Sequence, residues 1–97
     1  MSRQRVCFTP NAWEEYTAWL AEDRAMVKRI NQLIEAISRD PFAGIGKPEP
    51  LKHQLAGYWS RRINEEHRLV YRVDGESLIV VQCRYHYLNW KLECGRQ

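Results

Sequence analysis

The run "GKPEPLKH", residues 46–53, places one carboxylate, Glu49, between two prolines, with Lys47 and Lys52 on either side. Proline fixes φ at about −65° and removes a backbone donor. A residue preceding proline is pushed toward extended geometry. Lys47 and Glu49 both precede a proline, so this stretch is stiff, extended and unsuited to a helix. Arg68 supplies a guanidinium and His86 an imidazole. A carboxylate, a guanidinium and an imidazole converging on one RNA phosphate suffice for metal-free cleavage. The carboxylate takes the proton of a ribose 2′-hydroxyl, which attacks the adjacent phosphorus. The guanidinium binds the charge that builds on the equatorial oxygens. The imidazolium protonates the departing 5′-oxygen. Neighbouring cations favour the ionised form that a base must have. A glutamate is nevertheless a weak base at neutral pH, so positioning must supply much of the acceleration.

Each of these residues also has a plainer reading. A loop glutamate among lysines can make a surface ion pair, worth under about 1 kcal/mol. Arginines on an outer sheet face are commonplace, and a histidine near a strand end can simply be a satisfied polar group. The combination argues for chemistry, and Arg61-Arg62 adds two more guanidiniums. Other chemistries lack their parts. No serine or cysteine is arranged with a base, and "GIGKPEP" lacks the Ser/Thr and helix that follow a phosphate-binding glycine loop. His53, His67 and His86 have no zinc-type spacing, and no cofactor motif is present.

Ninety-seven residues with a net charge of +3 fit one mildly basic domain, which permits a polyanionic partner without requiring one. Cys7, Cys83 and Cys94 are odd in number and widely spaced, against a disulfide framework and for a reducing compartment. The N-terminal "MSRQRVCFTP" has no apolar run like a signal peptide's, and no segment is long enough to span a membrane. A cytoplasmic location is the expectation.

The elements that must position these groups follow from periodicity. "RVCF" is a short strand candidate. "TPNAWEEYTAWLAED" reads as a helix, with Thr9 as N-cap and Pro10 at its first position. Trp13, Tyr16 and Leu20 share one of its faces and are expected in the core. Asp23 opens a second helix, with Val27, Ile30, Leu33, Ile34 and Ile37 as its apolar stripe, and Asp40-Pro41 stops it. Residues 41–50 are too rich in Pro and Gly for regular structure. Strands follow at "YWSRRI", "HRLVYRV" and "SLIVVQCRYHY". The fold class is α+β, two N-terminal helices packed on an antiparallel sheet.

Hairpin register decides which side chains share a face. A two-residue Asp74-Gly75 loop pairs Val73 with Glu76 and separates Arg68 from His86. A three-residue loop, Asp74-Gly75-Glu76, pairs Val73 with Ser77, and a one-residue slip exchanges the faces. The longer loop collects Leu69, Tyr71, Val73, Ile79, Val81, Cys83 and Tyr85 on a core face. It leaves Arg68, Arg72, Gln82, Arg84 and His86 on the other, with Val70, Leu78 and Val80. That cleaner separation favours the three-residue loop.

The segments "WEEY", "KRINQLI", "DPFAGIGKPEPLKHQLAGYWSRRINEEHRLVY" and "CRYHY" closely resemble the YoeB-type toxins of bacterial toxin–antitoxin pairs, within the RelE superfamily. The resemblance runs from about Phe8 to Tyr87 and implies a microbial-ribonuclease-like fold. It implies a ribosome-dependent mRNA interferase, with Glu49 as general base, Arg68 as transition-state stabiliser and His86 as general acid. Tyr87 matches a site-shaping tyrosine, and Lys52, Arg62, Lys47 and His53 match positions that contact RNA. A YefM-like antitoxin, operator DNA bound only through that antitoxin, and a toxin dimer are implied as well. Residues 1–87 then form the toxin domain. Residues 88–97, "LNWKLECGRQ", extend past the usual family end beside His86, and a lightly packed, dispensable tail is expected. The competing reading is a non-catalytic superfamily relative acting by binding, such as a gyrase inhibitor, which would have no need of Glu49, Arg68 and His86.

Overall fold

The computed structural model describes residues 5–85, so His86, Tyr87 and the 88–97 tail lie outside the described residues. Strand β1 (Arg5–Phe8) leads into helix α1 (Pro10–Glu22) and helix α2 (Arg24–Arg39). Thr9 caps α1 by accepting from the Ala12 amide, and Asp23 caps α2 by accepting from the Ala25 amide. After α2 come β2 (Glu49–Pro50), a 3-10 turn (His53–Leu55), β3 (Trp59–Arg62), β4 (Arg68–Asp74) and β5 (Ser77–Gln82). The sheet order is β1-β5-β4-β3-β2. Only β1 runs parallel to its neighbour, β5, and the two helices carry the chain from β1 to β2 at the opposite edge of the sheet. The sheet is therefore mixed, with both helices on one face.

The stripe of α2 packs as its spacing requires: Val27, Ile30, Leu33 and Ile37 are buried, with Met26, while Ile34 is half-buried. Helix α1 differs from expectation. Trp13 and Leu20 are exposed, at 53% and 41%, and Ala12 and Trp19 face the sheet instead. The small Ala12 allows close approach, and the Trp19 indole finds a buried acceptor in the Cys83 carbonyl, 2.9 Å away. Trp13 stacks on Tyr16, and both rings lean on Phe8 at the helix start.

The hairpin register also differs. Asp74 pairs with Ser77 and Val73 with Leu78, so the loop is the two residues Gly75-Glu76, and the three-residue loop does not form. Gly75 adopts φ 61°, which a type II′ turn requires at that position and an L-residue resists. Leu78 and Val80 consequently join Leu69 and Tyr71 beneath the helices. Ile79 and Val81 move to the opposite face with Val70. A bulge then intervenes, since Tyr71 pairs with Val80 but Val70 with Gln82. The extra residue reverses the phase again, and Cys83 returns to the helix side.

The face away from the helices is partly covered. The chain after β2 loops across it, closed by the Leu51 amide donating to the Tyr58 carbonyl at 2.9 Å. Leu51, Leu55 and Tyr58 pack there on Val70, Val81 and Ile79 as a second, smaller core.

Candidate active site

Side chains alternate along a strand, and directly paired residues project to the same face. The pairings Glu49 with Ser60, Ser60 with Val70 and Val70 with Gln82 therefore form one row across the outer face. One step along β3 and β4, Arg62 pairs with Arg68 on that face. With strands about 4.8 Å apart and about 3.4 Å per residue, the Glu49 and Arg68 backbones lie about 12 Å apart, a separation that two side chains and one phosphate can fill. Glu49 is exposed on the short rim strand β2. Lys47, Lys52, His53 and Arg62 are exposed on the segments around it.

Arg68 is more enclosed than an outer-face arginine usually is, at 9% exposure. Its Nη1 donates to the carbonyls of Asn64, Glu65 and His67 at 2.8–3.1 Å, fixing the guanidinium over the turn that precedes its own strand. Like charges placed directly opposite on adjacent strands oppose folding. The Arg62–Arg68 pair has that register, and the Arg68 bonds to the turn carbonyls help to offset it.

Arg61, one residue from Arg62, belongs to the other face and is not a site residue. It is fully buried, with Nε donating to the Tyr71 hydroxyl at 3.1 Å. Its Nη1 donates to Ile45 O, and its Nη2 to Asp40 O and Ala43 O, at 2.8–3.0 Å. The Tyr71 hydroxyl in turn donates to Pro41 O at 2.7 Å. Burial raises the Tyr71 pKa, with Arg61 opposing the shift, so the hydroxyl keeps the proton it donates. The loop leading to Glu49 is thus stapled from beneath by one guanidinium. Phe42 packs on Trp59 above it, with ring centroids 5.0 Å apart. Gly46 follows with φ 84°, and a Cβ there would meet Leu33 Cδ2 at 2.7 Å. The stiffness read from the prolines is therefore only part of what holds Glu49.

Three residues other than glycine adopt positive φ among the described residues: Lys47 at 51°, His53 at 59° and Tyr85 at 67°. Such backbone is strained for L-residues and persists where its surroundings over-determine it, as active sites often do. All three lie in the segments that carry or adjoin the candidate residues.

Arg84, expected on the outer face, folds back over α1. Its guanidinium stacks 4.3 Å from the Trp19 ring and makes paired bonds of 2.9–3.0 Å to Glu22. Those bonds raise the Arg84 pKa and lower that of Glu22. His67 is the imidazole among the described residues with a structural partner. Its Nδ1 accepts the Tyr85 amide at 2.8 Å, and its ring meets Trp19 edge-on. Burial lowers the His67 pKa, Glu66 opposes the shift, and Arg84 and Arg68 add to it. Neither Arg61 nor His67 carries a distinguishing sequence signal beyond strand alternation, which separates Arg61 from Arg62. His86 and Tyr87 lie outside the described residues. Among the described residues, no cluster of three or more His, Cys, Asp or Glu side chains could hold a metal ion. No helix among them is long and apolar enough to cross a membrane.

Residues 8–87 match the family model of the YoeB-like toxin of bacterial type II toxin–antitoxin systems. The toxin YoeB of Streptomyces coelicolor is 58% identical over 83 residues, 86% of this chain and 99% of that one. The solved YoeB/ParE toxin of Agrobacterium tumefaciens superposes with a TM-score of 0.84 at 54% identity, covering 86% of this chain and 99% of its own. The Staphylococcus aureus YoeB, solved in a heterotetrameric complex with YefM, gives 0.81 at 49% identity, covering 89% and 100%. The same toxin, solved as a dimer, gives 0.83 at the same identity and coverage. From the first strand through the candidate residues, this chain belongs to the YoeB-like toxins of bacterial type II toxin–antitoxin systems.

Proposed function

We propose that the protein is a ribosome-dependent mRNA interferase that cuts messenger RNA in the ribosomal A site and is neutralised by a YefM-like antitoxin. The observation that carries this reading is the outer sheet face, with exposed Glu49 two strands from Arg68, and Arg62 paired beside Arg68. Glu49 takes the proton of the ribose 2′-hydroxyl. The 2′-oxygen attacks the 3′-phosphate in line with the departing 5′-oxygen. Arg68 binds the charge on the phosphorane-like transition state. His86 protonates the leaving 5′-oxygen, and a 2′,3′-cyclic phosphate remains. Tyr87 shapes the site, while Lys52, Arg62, Lys47 and His53 hold the RNA backbone.

Membership of the family supports the toxin role, and the S. aureus dimer and YoeB–YefM assemblies support a homodimer and an antitoxin partner here. Operator DNA would be bound through that partner, and the toxin would act in the cytoplasm, where ribosomes are. The test is primer extension on translating ribosomes. Wild type gives cuts within A-site codons, and Glu49→Ala and His86→Gln each lose most of the rate. Variants that cut as fast as wild type would show that these side chains do not perform the steps assigned to them. Growth arrest without mRNA cuts would favour the binding-only alternative.

A further inference from the structure

The three residues after β5 are held from two sides. From α1, Glu15 accepts the Cys83 amide at 2.8 Å and Trp19 donates to the Cys83 carbonyl at 2.9 Å. Glu22, one turn further on, takes the Arg84 guanidinium. Spacings of four and three place these three residues on one helix face. From the sheet, Gln82 Nε2 donates to the carbonyls of Arg84 and Tyr85 at 2.7 and 2.9 Å. The Arg68 amide donates to the Tyr85 carbonyl at 3.0 Å, and His67 Nδ1 accepts the Tyr85 amide. Tyr85 thus has both backbone polar groups bonded while it sits at φ 67°. It is the last described residue before the proposed general acid.

We propose that His67 is a positioning residue of the ribonuclease site: by accepting the Tyr85 amide while its ring rests on Trp19, it fixes the backbone of the residue that precedes His86 in the sequence. The inference rests on His86 being the general acid. His67 immediately precedes Arg68, the first residue of β4 and the proposed stabiliser, and a bond from each reaches Tyr85. Only an unprotonated Nδ1 can accept. The groups facing His67 are Glu66 at 3.9 Å from Nε2, Arg68 next in the chain, and Arg84 and Tyr85 from the held segment. Burial together with the two guanidiniums outweighs Glu66 and favours the neutral ring.

Two substitutions separate the parts. His67→Phe keeps a ring on Trp19 and removes the acceptor. His67→Asn removes the ring and keeps an acceptor near the Nδ1 position. In single-turnover cleavage on programmed ribosomes, His67→Phe should lower the saturating rate about tenfold or more, with the half-saturating ribosome concentration changed less than about twofold. His67→Asn should remain within about threefold of wild type. Amide exchange at Tyr85 should accelerate in the Phe variant while the β5 amides keep their protection. His86→Gln, measured in parallel, separates the two claims. If it is inactive while a folded His67→Phe cuts like wild type, the positioning role is overturned and the acid assignment stands. If His86→Gln itself cuts like wild type, the acid assignment fails. Should His67→Phe fail to fold, a folded but inactive His67→Asn overturns the positioning role, and an active one supports it.

Discussion

Arg68 differs from a freely moving surface cation. Its Nη1 is anchored on three carbonyls, so the planar group has a fixed orientation that an ammonium would not reproduce. Arg68→Lys should lower ribosomal cleavage about a hundredfold, as losing one oriented donor to a developing anion does. Retained activity in that variant would mean that charge alone suffices. His67 makes a second residue-scale statement, about stability. Its folded pKa lies below the ordinary 6.5, so the unfolded chain binds the proton more readily. Its contribution is therefore present above the unfolded pKa and declines as pH falls through the folded value. Thermal melts should show stability falling below about pH 6.5, with the slope reduced in His67→Asn. An unchanged slope would assign the acid limb to other groups. Cys83 is held under α1 with its pKa pushed up to about 12 by burial and Glu15. At pH 8 it should resist alkylation until the protein unfolds.

At the scale of elements, the sequence disclosed more about types than about phases. Helix caps at Thr9 and Asp23 and the α2 stripe were legible because each depends on neighbouring residues, whereas at Glu49–Pro50 the prolines disclosed extended backbone but not its pairing with β3 as a strand. The hairpin was not, because a type II′ turn at Gly75-Glu76 and a bulge at Val81 each shift the phase by one residue. Their effects cancel beyond Gln82 but not at Ile79 and Val81, which therefore pack on the outer face. The Trp13 stripe misled because periodicity identifies a face without saying which of two aromatic faces finds a buried acceptor, as Trp19 does. His86 came from residue type and from the face that the three-residue register gave it, a register that does not form, and Tyr87 came from family resemblance. Arg61 supplies the prediction at this scale. Arg61→Met should cost about 3 kcal/mol or more, since it leaves several loop carbonyls and the Tyr71 hydroxyl without their donor or partner. Denaturant unfolding measures it, and a loss below about 1 kcal/mol would mean that water replaces the staple.

For the molecule as a whole, a net charge of +3 gives only modest long-range attraction for RNA. The proposed mechanism draws on positioning and gives little rate without an ordered substrate. The isolated protein should therefore cleave free RNA feebly, and multiple-turnover cutting of naked RNA at low concentration would contradict the proposed ribosome dependence. The match to the family model ends at Tyr87. Truncation there should leave A-site cleavage intact, whereas a large loss would make the 88–97 segment part of the working protein.

The rim strand that carries Glu49 has a consequence for solubility. It is two residues long, and Pro48 and Pro50 on either side of Glu49 offer no amide hydrogen to an incoming chain. A sheet border built this way is a poor template for further strands, so copies of the protein are discouraged from stacking edge to edge across it. The same two prolines that stiffen the acid thus keep its border of the sheet clear when the protein is concentrated.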